Sequence, residues 1–146
     1  MRLSATAGLI LVATTACTTP QVSQACTAMG SPSGISITAD PALVPKIDTG
    51  TFDVCGDGGC RTYPIAFNKQ PDTFADVPDL PTSEVEVMVR IVDRSGAEVV
   101  ERILTVTPVL TYPNGRGCGP DGARVLLLVD ENGDVRAGVP PFANGR

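Results

Sequence analysis

The chain has no histidine and no tryptophan, and its other aromatics are two Tyr and four Phe among 146 residues. Without His, the commonest general base and the commonest metal ligand are missing. Few aromatic faces leave little on which a sugar ring could stack. Once the leader is set aside, only Met29 and Met88 remain as thioethers. Copper or haem ligation is therefore not expected, and no cofactor is. Positive charge is also scarce, with 11 Lys and Arg against 16 Asp and Glu, a formal net charge of −5. A chain this acidic, with no basic cluster, offers no footprint for nucleic acid or for anionic headgroups. No apolar run approaches the roughly 20 residues of a membrane-spanning helix.

What is present begins with the cysteines. There are five, and Cys17 closes a short leader. Met1-Arg2 gives a positive start, Ala7 to Ala13 an apolar stretch, and Thr14-Thr15-Ala16 small residues before Cys17. This is the pattern of an export signal over residues 1–16. Small residues before a cysteine resemble the bacterial lipobox, in which the cysteine is acylated and becomes the first mature residue. The usual Leu or Val three positions before the cysteine is here Thr14. The alternative is ordinary cleavage that leaves Cys17 as a thiol. Lipidation at Cys17 also accounts for the odd count, because Cys26, Cys55, Cys60 and Cys118 then form two pairs. Cleavage leaves roughly 130 residues, enough for one domain with a real core. Residues 17–25 read as a polar tether, 26–138 as the domain and 139–146 as a flexible tail.

Thirteen Pro and fifteen Gly punctuate the chain. Between them lie short stretches that alternate apolar and polar residues, the mark of strands. Strands are expected at Gly34 to Thr38, Thr51 to Cys55, Arg61 to Phe67, Glu84 to Val92, Glu98 to Thr107, Ala123 to Val129 and Asp134 to Ala137. Asn68 to Thr82, with three prolines, reads as a long loop containing a short strand around Phe74. Asn132-Gly133 predicts a tight type I′ hairpin. About seven strands separated by turns point to an all-β fold, an immunoglobulin-like antiparallel sandwich, with a small barrel as the alternative.

The four remaining cysteines allow three pairings. Cys55 and Cys60 flank a Gly-rich turn between two strands, so a bond there would pin the hairpin register. That leaves Cys26 with Cys118. The rival arrangement joins Cys26 to one hairpin cysteine and Cys118 to the other. Zinc would need closer Cys spacing and a reducing compartment.

Several polar groups invite a chemical reading. Asp130 to Asp134 looks like a calcium loop but lacks the downstream acidic ligand, and a hairpin tip fits better. Asp72, Asp76 and Asp79 share one loop and could hold a hard cation. Glu84, Glu86, Glu98 and Glu101 could supply paired carboxylates, but cross-strand pairing with Arg90 and Arg102 explains them more simply. Gly30 to Gly34 has Pro32 where a nucleophile elbow needs serine. Gly56 to Gly59 lacks the Lys of a phosphate loop. No catalytic or metal residue is expected, and no enzyme. Val125 to Val129 reads as a buried central strand, or as a partner surface if Leu126 and Leu128 face outward.

The layout resembles a group of small, uncharacterised actinobacterial lipoproteins. The matching pieces are the leader ending at Cys17, Cys26 to Gly30 leading into Gly34 to Thr38, Val54-Cys55 and Cys60-Arg61-Thr62. They continue with Val106-Thr107-Pro108, Tyr112 to Gly115 and Cys118. The resemblance implies export, lipidation and two disulfides, with no activity to carry over. The leading expectation is a lipid-anchored interaction or structural-accessory domain on the extracytoplasmic face of the cell membrane, with an envelope protein or peptide as partner. The alternatives are a solute- or cation-binding lipoprotein that uses Asp72 to Asp79, and, last, a carboxylate-based hydrolase.

Overall fold

Each alternating stretch becomes a strand whose apolar side faces one core. The computed structural model describes residues 25–145. The leader, Cys17 and all but the last tether residue lie outside the described residues. The strands are β1 (Gly34–Ala39), β2 (Thr49–Gly56), β3 (Gly59–Ala66), β4 (Asp72–Asp76) and β5 (Val85–Val92). They continue as β6 (Glu98–Val106), β7 (Val109–Leu110), β8 (Ala123–Val129) and β9 (Val135–Gly138). Short 3-10 turns occupy Val44–Lys46 and Arg116–Cys118.

The strands form two sheets. The five-stranded sheet has the order β4-β1-β8-β7, with β9 also paired to β8, and the four-stranded sheet has the order β3-β2-β5-β6. The fold is the expected sandwich, with nine strands where about seven were expected. One neighbouring pair is not antiparallel. β1 runs parallel to β8, Ile35 opposite Val125 and Ala39 opposite Val129. Parallel neighbours need a long connection, and here the whole four-stranded sheet lies between them in sequence.

The core fills the space between the sheets. Ile35, Ile37, Val125 and Leu127 from one sheet meet Phe52, Val87, Val89 and Ile91 from the other, all buried. Phe52 and Phe67 are the largest fully buried side chains. The core is therefore mostly β-branched and aliphatic, and each such side chain contributes about 1.5–3 kcal/mol by leaving water.

The two ends of the sandwich differ. One end gathers the turns. The Ala39 amide donates to the Pro71 carbonyl at 2.8 Å, the Asp40 amide to Val129 at 2.8 Å, and the Asp48 amide to Val92 at 2.9 Å. The other end holds the amino-terminal segment. There the Val77 amide donates to the Ser33 carbonyl at 3.0 Å, and Cys26 is bonded to Cys118. This is the latch end. The Cys55–Cys60 bond closes the β2–β3 hairpin at the same end.

Turn chemistry departs from the expectation in an instructive way. Asn132-Gly133 is not a type I′ turn. Only Gly133 has positive φ, +83°, where type I′ needs it at both central residues. Asp130 instead brackets a three-residue loop. Its amide donates to the Asp134 carbonyl, and its carboxylate accepts from the amides of Asn132 at 2.9 Å and Asp134 at 3.0 Å. The β5–β6 turn repeats this design with Asp93, Ser95 and Gly96. The type I′ geometry appears at Asn68-Lys69, where φ is 49° and 64° and the Gln70 amide donates to Phe67 at 2.7 Å.

Residues 139–145, expected as a flexible tail, turn back onto the latch end. The Tyr112 amide donates to the Phe142 carbonyl at 2.9 Å, and Pro140 is buried.

Two stability predictions follow from these connections. A left-handed conformation costs a side-chain-bearing residue about 1 kcal/mol that glycine avoids. Lys69→Gly should therefore raise the unfolding free energy measured by chemical denaturation by about 1 kcal/mol, whereas Lys69→Ala should leave it unchanged. Cys26 and Cys118 are 92 residues apart and Cys55 and Cys60 only 5. Replacing the first pair by Ser should cost about 4–5 kcal/mol and the second about 2 kcal/mol, measured in the same unfolding experiment.

Candidate functional site

A sheet in a sandwich hides one face and shows the other, so the outward residues decide what a partner meets. On the five-stranded sheet they lie in three rows across the strands. Asp72, Thr38, Leu128 and Arg136 form one row, and Phe74, Ser36, Leu126 and Gly138 the next. Asp76, Gly34, Arg124 and Val109 form the third, nearest the latch end. Leu126 and Leu128 thus point outward while Val125, Leu127 and Val129 point into the core. They are half-buried rather than bare.

Two glycines explain why. A methyl group on Gly138 would sit 3.2 Å from the tips of both Leu126 and Leu128. The leucines lean over the vacancy that Gly138 leaves. At Gly34, a methyl group would meet the Ala75 carbonyl oxygen at 2.3 Å and the Phe74 ring at 2.4 Å. The Phe74 ring covers that vacancy, and the Arg124 guanidinium stacks above it at 4.5 Å from the centroid. An apolar strip of Phe74, Leu126 and Leu128 results, ringed by Asp72, Asp76, Arg124 and Arg136. Beside it Pro141 of the returning tail walls a shallow depression of about 560 Å³.

Arg124 fixes this face to the amino-terminal segment. It donates to Ser36 Oγ at 3.0 Å, to the Pro32 carbonyl at 3.3 Å and to Ser31 Oγ at 3.4 Å. Partial burial lowers its pKa from the ordinary guanidinium value. The buried Thr111 hydroxyl lies 2.9 Å from Ser31 Oγ and 3.1 Å from the Gly122 carbonyl. The Ser31 amide donates to the Asp121 carboxylate, and the Asn114 side-chain amide donates to the Met29 carbonyl at 2.9 Å. Every buried side-chain polar atom in the described residues has a partner.

The other candidate groups scatter. Asp72 accepts from Thr38 Oγ1 at 2.6 Å on one strand row, Asp76 lies at the far end of the same strand, and Asp79 pairs with Arg61 at 3.4 Å. These three acids do not converge. Among the described residues no three acidic, Cys or His side chains are placed to hold a metal ion. Asp130 has its carboxylate committed to its own turn, which leaves a hairpin tip in place of a calcium loop.

Glu98 and Glu101 face Arg90 across β5 and β6, at 3.4 and 3.8 Å. Their mutual hydrogen bond holds the Glu98 carboxyl above its ordinary pKa, with burial and the charge of Glu101 acting the same way and Arg90 opposing. Asp93 moves down instead, chiefly because the Ser95 hydroxyl and the Ala97 amide donate to it. Arg102 lies opposite Val89 on the inward register, and its head escapes to Asp134 in the β8–β9 loop at 3.0 Å. The carboxylates are thus tied to arginines, hydroxyls and backbone amides, or stand alone.

Phe74, Gly34, Gly138 and Arg124 carry the face, and none was singled out from the sequence. The signal for Phe74 was its place between Thr73 and the small Ala75, which assigns the ring to the outer side once Ala75 is inward. No described helix is long and apolar enough to cross a membrane. Comparison with protein-family models, curated proteins and solved structures found no match.

The two glycines should respond differently to substitution. Gly34→Ala forces a methyl group against backbone and should cost about 1–3 kcal/mol. Gly138→Ala meets only flexible leucine tips and should cost less than about 0.5 kcal/mol. Chemical denaturation of the two variants measures both.

Proposed function

We propose that the chain is a lipid-anchored protein of the extracytoplasmic face of the cell membrane, acylated on Cys17. Its sandwich docks an envelope protein through the outer face of the five-stranded sheet. The observation that carries the docking reading is the outward Leu126 and Leu128, set with Phe74 in one apolar strip. An apolar centre with a charged rim is how protein interfaces are built. The rim is polar by side. Asp72 and Asp76 lie along β4, and Arg136 lies on β9 at the opposite edge. A complementary partner presents an apolar ridge with basic groups toward β4 and an acid toward β9. Membership among the actinobacterial lipoproteins that the sequence resembles is part of the same proposal. Catalysis is not, because the carboxylates are tied to arginines, hydroxyls and backbone amides or stand alone.

Site-specific photocrosslinking in whole cells tests the docking face. A crosslinker at Thr38 should capture one protein, and Leu126→Asp should abolish the capture. A crosslinker at Thr105, on the outer face of the other sheet, should capture nothing. Equal capture from both faces would sink the docking reading. The intact mass of the membrane-extracted protein tests the anchor separately, since an unmodified Cys17 removes it.

A further inference from the structure

At the latch end a second concavity opens between the tip of the β2–β3 hairpin and the crossover from β4 to β5. Its volume is about 470 Å³, within the usual span of small-molecule sites. Buried Val54, Val77, Leu80 and Val85 line its floor, and the half-buried Tyr63 ring forms part of its wall. The disulfide between Cys55 and Cys60 holds the hairpin wall in shape. The rim is charged and unbalanced. It carries Asp57, Asp79 and Glu84 but a single cation, Arg61.

Arg61 is already engaged, because its guanidinium bridges from β3 to Asp79 on the crossover at 3.4 Å. Asp57 and Glu84 have no hydrogen-bond or ion-pair partner among the described residues. Two exposed carboxylates without an ionic partner therefore line the mouth of a cleft whose floor is apolar and whose wall carries an aromatic ring. Both carboxylates and ring faces attract organic cations, and an apolar floor excludes a bare hydrated ion. We propose that this cleft binds a small organic cation with a compact hydrocarbon body. The charged nitrogen lies toward Asp57 and Glu84 at the hairpin tip, and the body displaces water from the valines and Leu80 and reaches toward the Tyr63 ring. An anion would have to displace Asp79 from Arg61 and meet the two remaining acids. This site is separate from the docking face and does not depend on it.

The test uses the full chain with both disulfides intact and benzyltrimethylammonium as the probe, followed by amide chemical shifts. Saturable shifts are expected within residues 54–63 and 77–85. Asp57→Asn and Glu84→Gln should each weaken binding about fivefold, the scale of one exposed ion pair, and benzoate should give no saturable shift. Both positions are exposed, so thermal unfolding of the variants should match the parent. The proposal is overturned if benzoate binds the same residues as tightly. It is overturned equally if the double variant binds like the parent, or if the cation produces no saturable shift there.

Discussion

The pairing of β1 with β8 is the constraint on which the molecule depends. It joins the first described strand to the penultimate one, and it places Ile35 and Ile37 beside Val125 and Leu127 in the middle of the core. Such a contact carries a large loop-closure cost, which local turns do not. The latch offsets that cost with several connections made at one place. The Cys26–Cys118 bond, the reach of Arg124 to Ser31, Pro32 and Ser36, and the Ser31–Thr111 pair all hold the start of β1 and the segment before it against the start of β8 and the segment before it. Gly122 lets those backbones touch, since a methyl group there would lie 2.2 Å from the Ser31 carbonyl oxygen.

The two outer faces express different solutions to exposure. On the four-stranded sheet, Glu86, Arg90 and Glu101 keep the surface wet, and the exposed Ile103 beside Met88 is an isolated apolar group. On the five-stranded sheet the apolar groups are adjacent, and two glycines draw them down into the surface. This difference gives one face a continuous apolar strip and leaves the other an ordinary solvated wall. It also gives Arg124 two tasks, as a cover for Phe74 and as a staple for the amino-terminal segment.

Much of the fold was legible because alternation is a strong signal wherever one face is buried. Val85 to Ile91 and Ile35-Ser36-Ile37 read directly as half-buried strands, and the hairpin cysteines could be matched because they flank one turn. The short strands β4 and β7 were harder, since two to five residues carry little periodicity and their pairing comes from β1 and β8. The Asn132-Gly133 reading failed because Asp130, two residues earlier, captures the amides and favours a longer loop. The true type I′ turn lies at Asn68-Lys69, where Lys69 hides it. The outward leucines were weighed from sequence, but Gly138 lies on another strand, so how far it buries them could not be read. The cleft was invisible for a related reason. Asp57, Arg61 and Glu84 meet only because the crossover returns past the hairpin.

The latch also orders events along the growing chain. Amino-terminal segments are made first, so Cys26 and β1 exist long before Cys118 and β8. Cys55 and Cys60 are only 5 residues apart, so their ring has the lower closure cost, while the Cys26–Cys118 bond, across 92 residues, needs both ends of the domain in place. A product cut short before Cys118 would lack the bond that ties Cys26 to the segment before β8, and one edge of β1 would stay unmated. The long disulfide is thus one that only a chain reaching Cys118 can make.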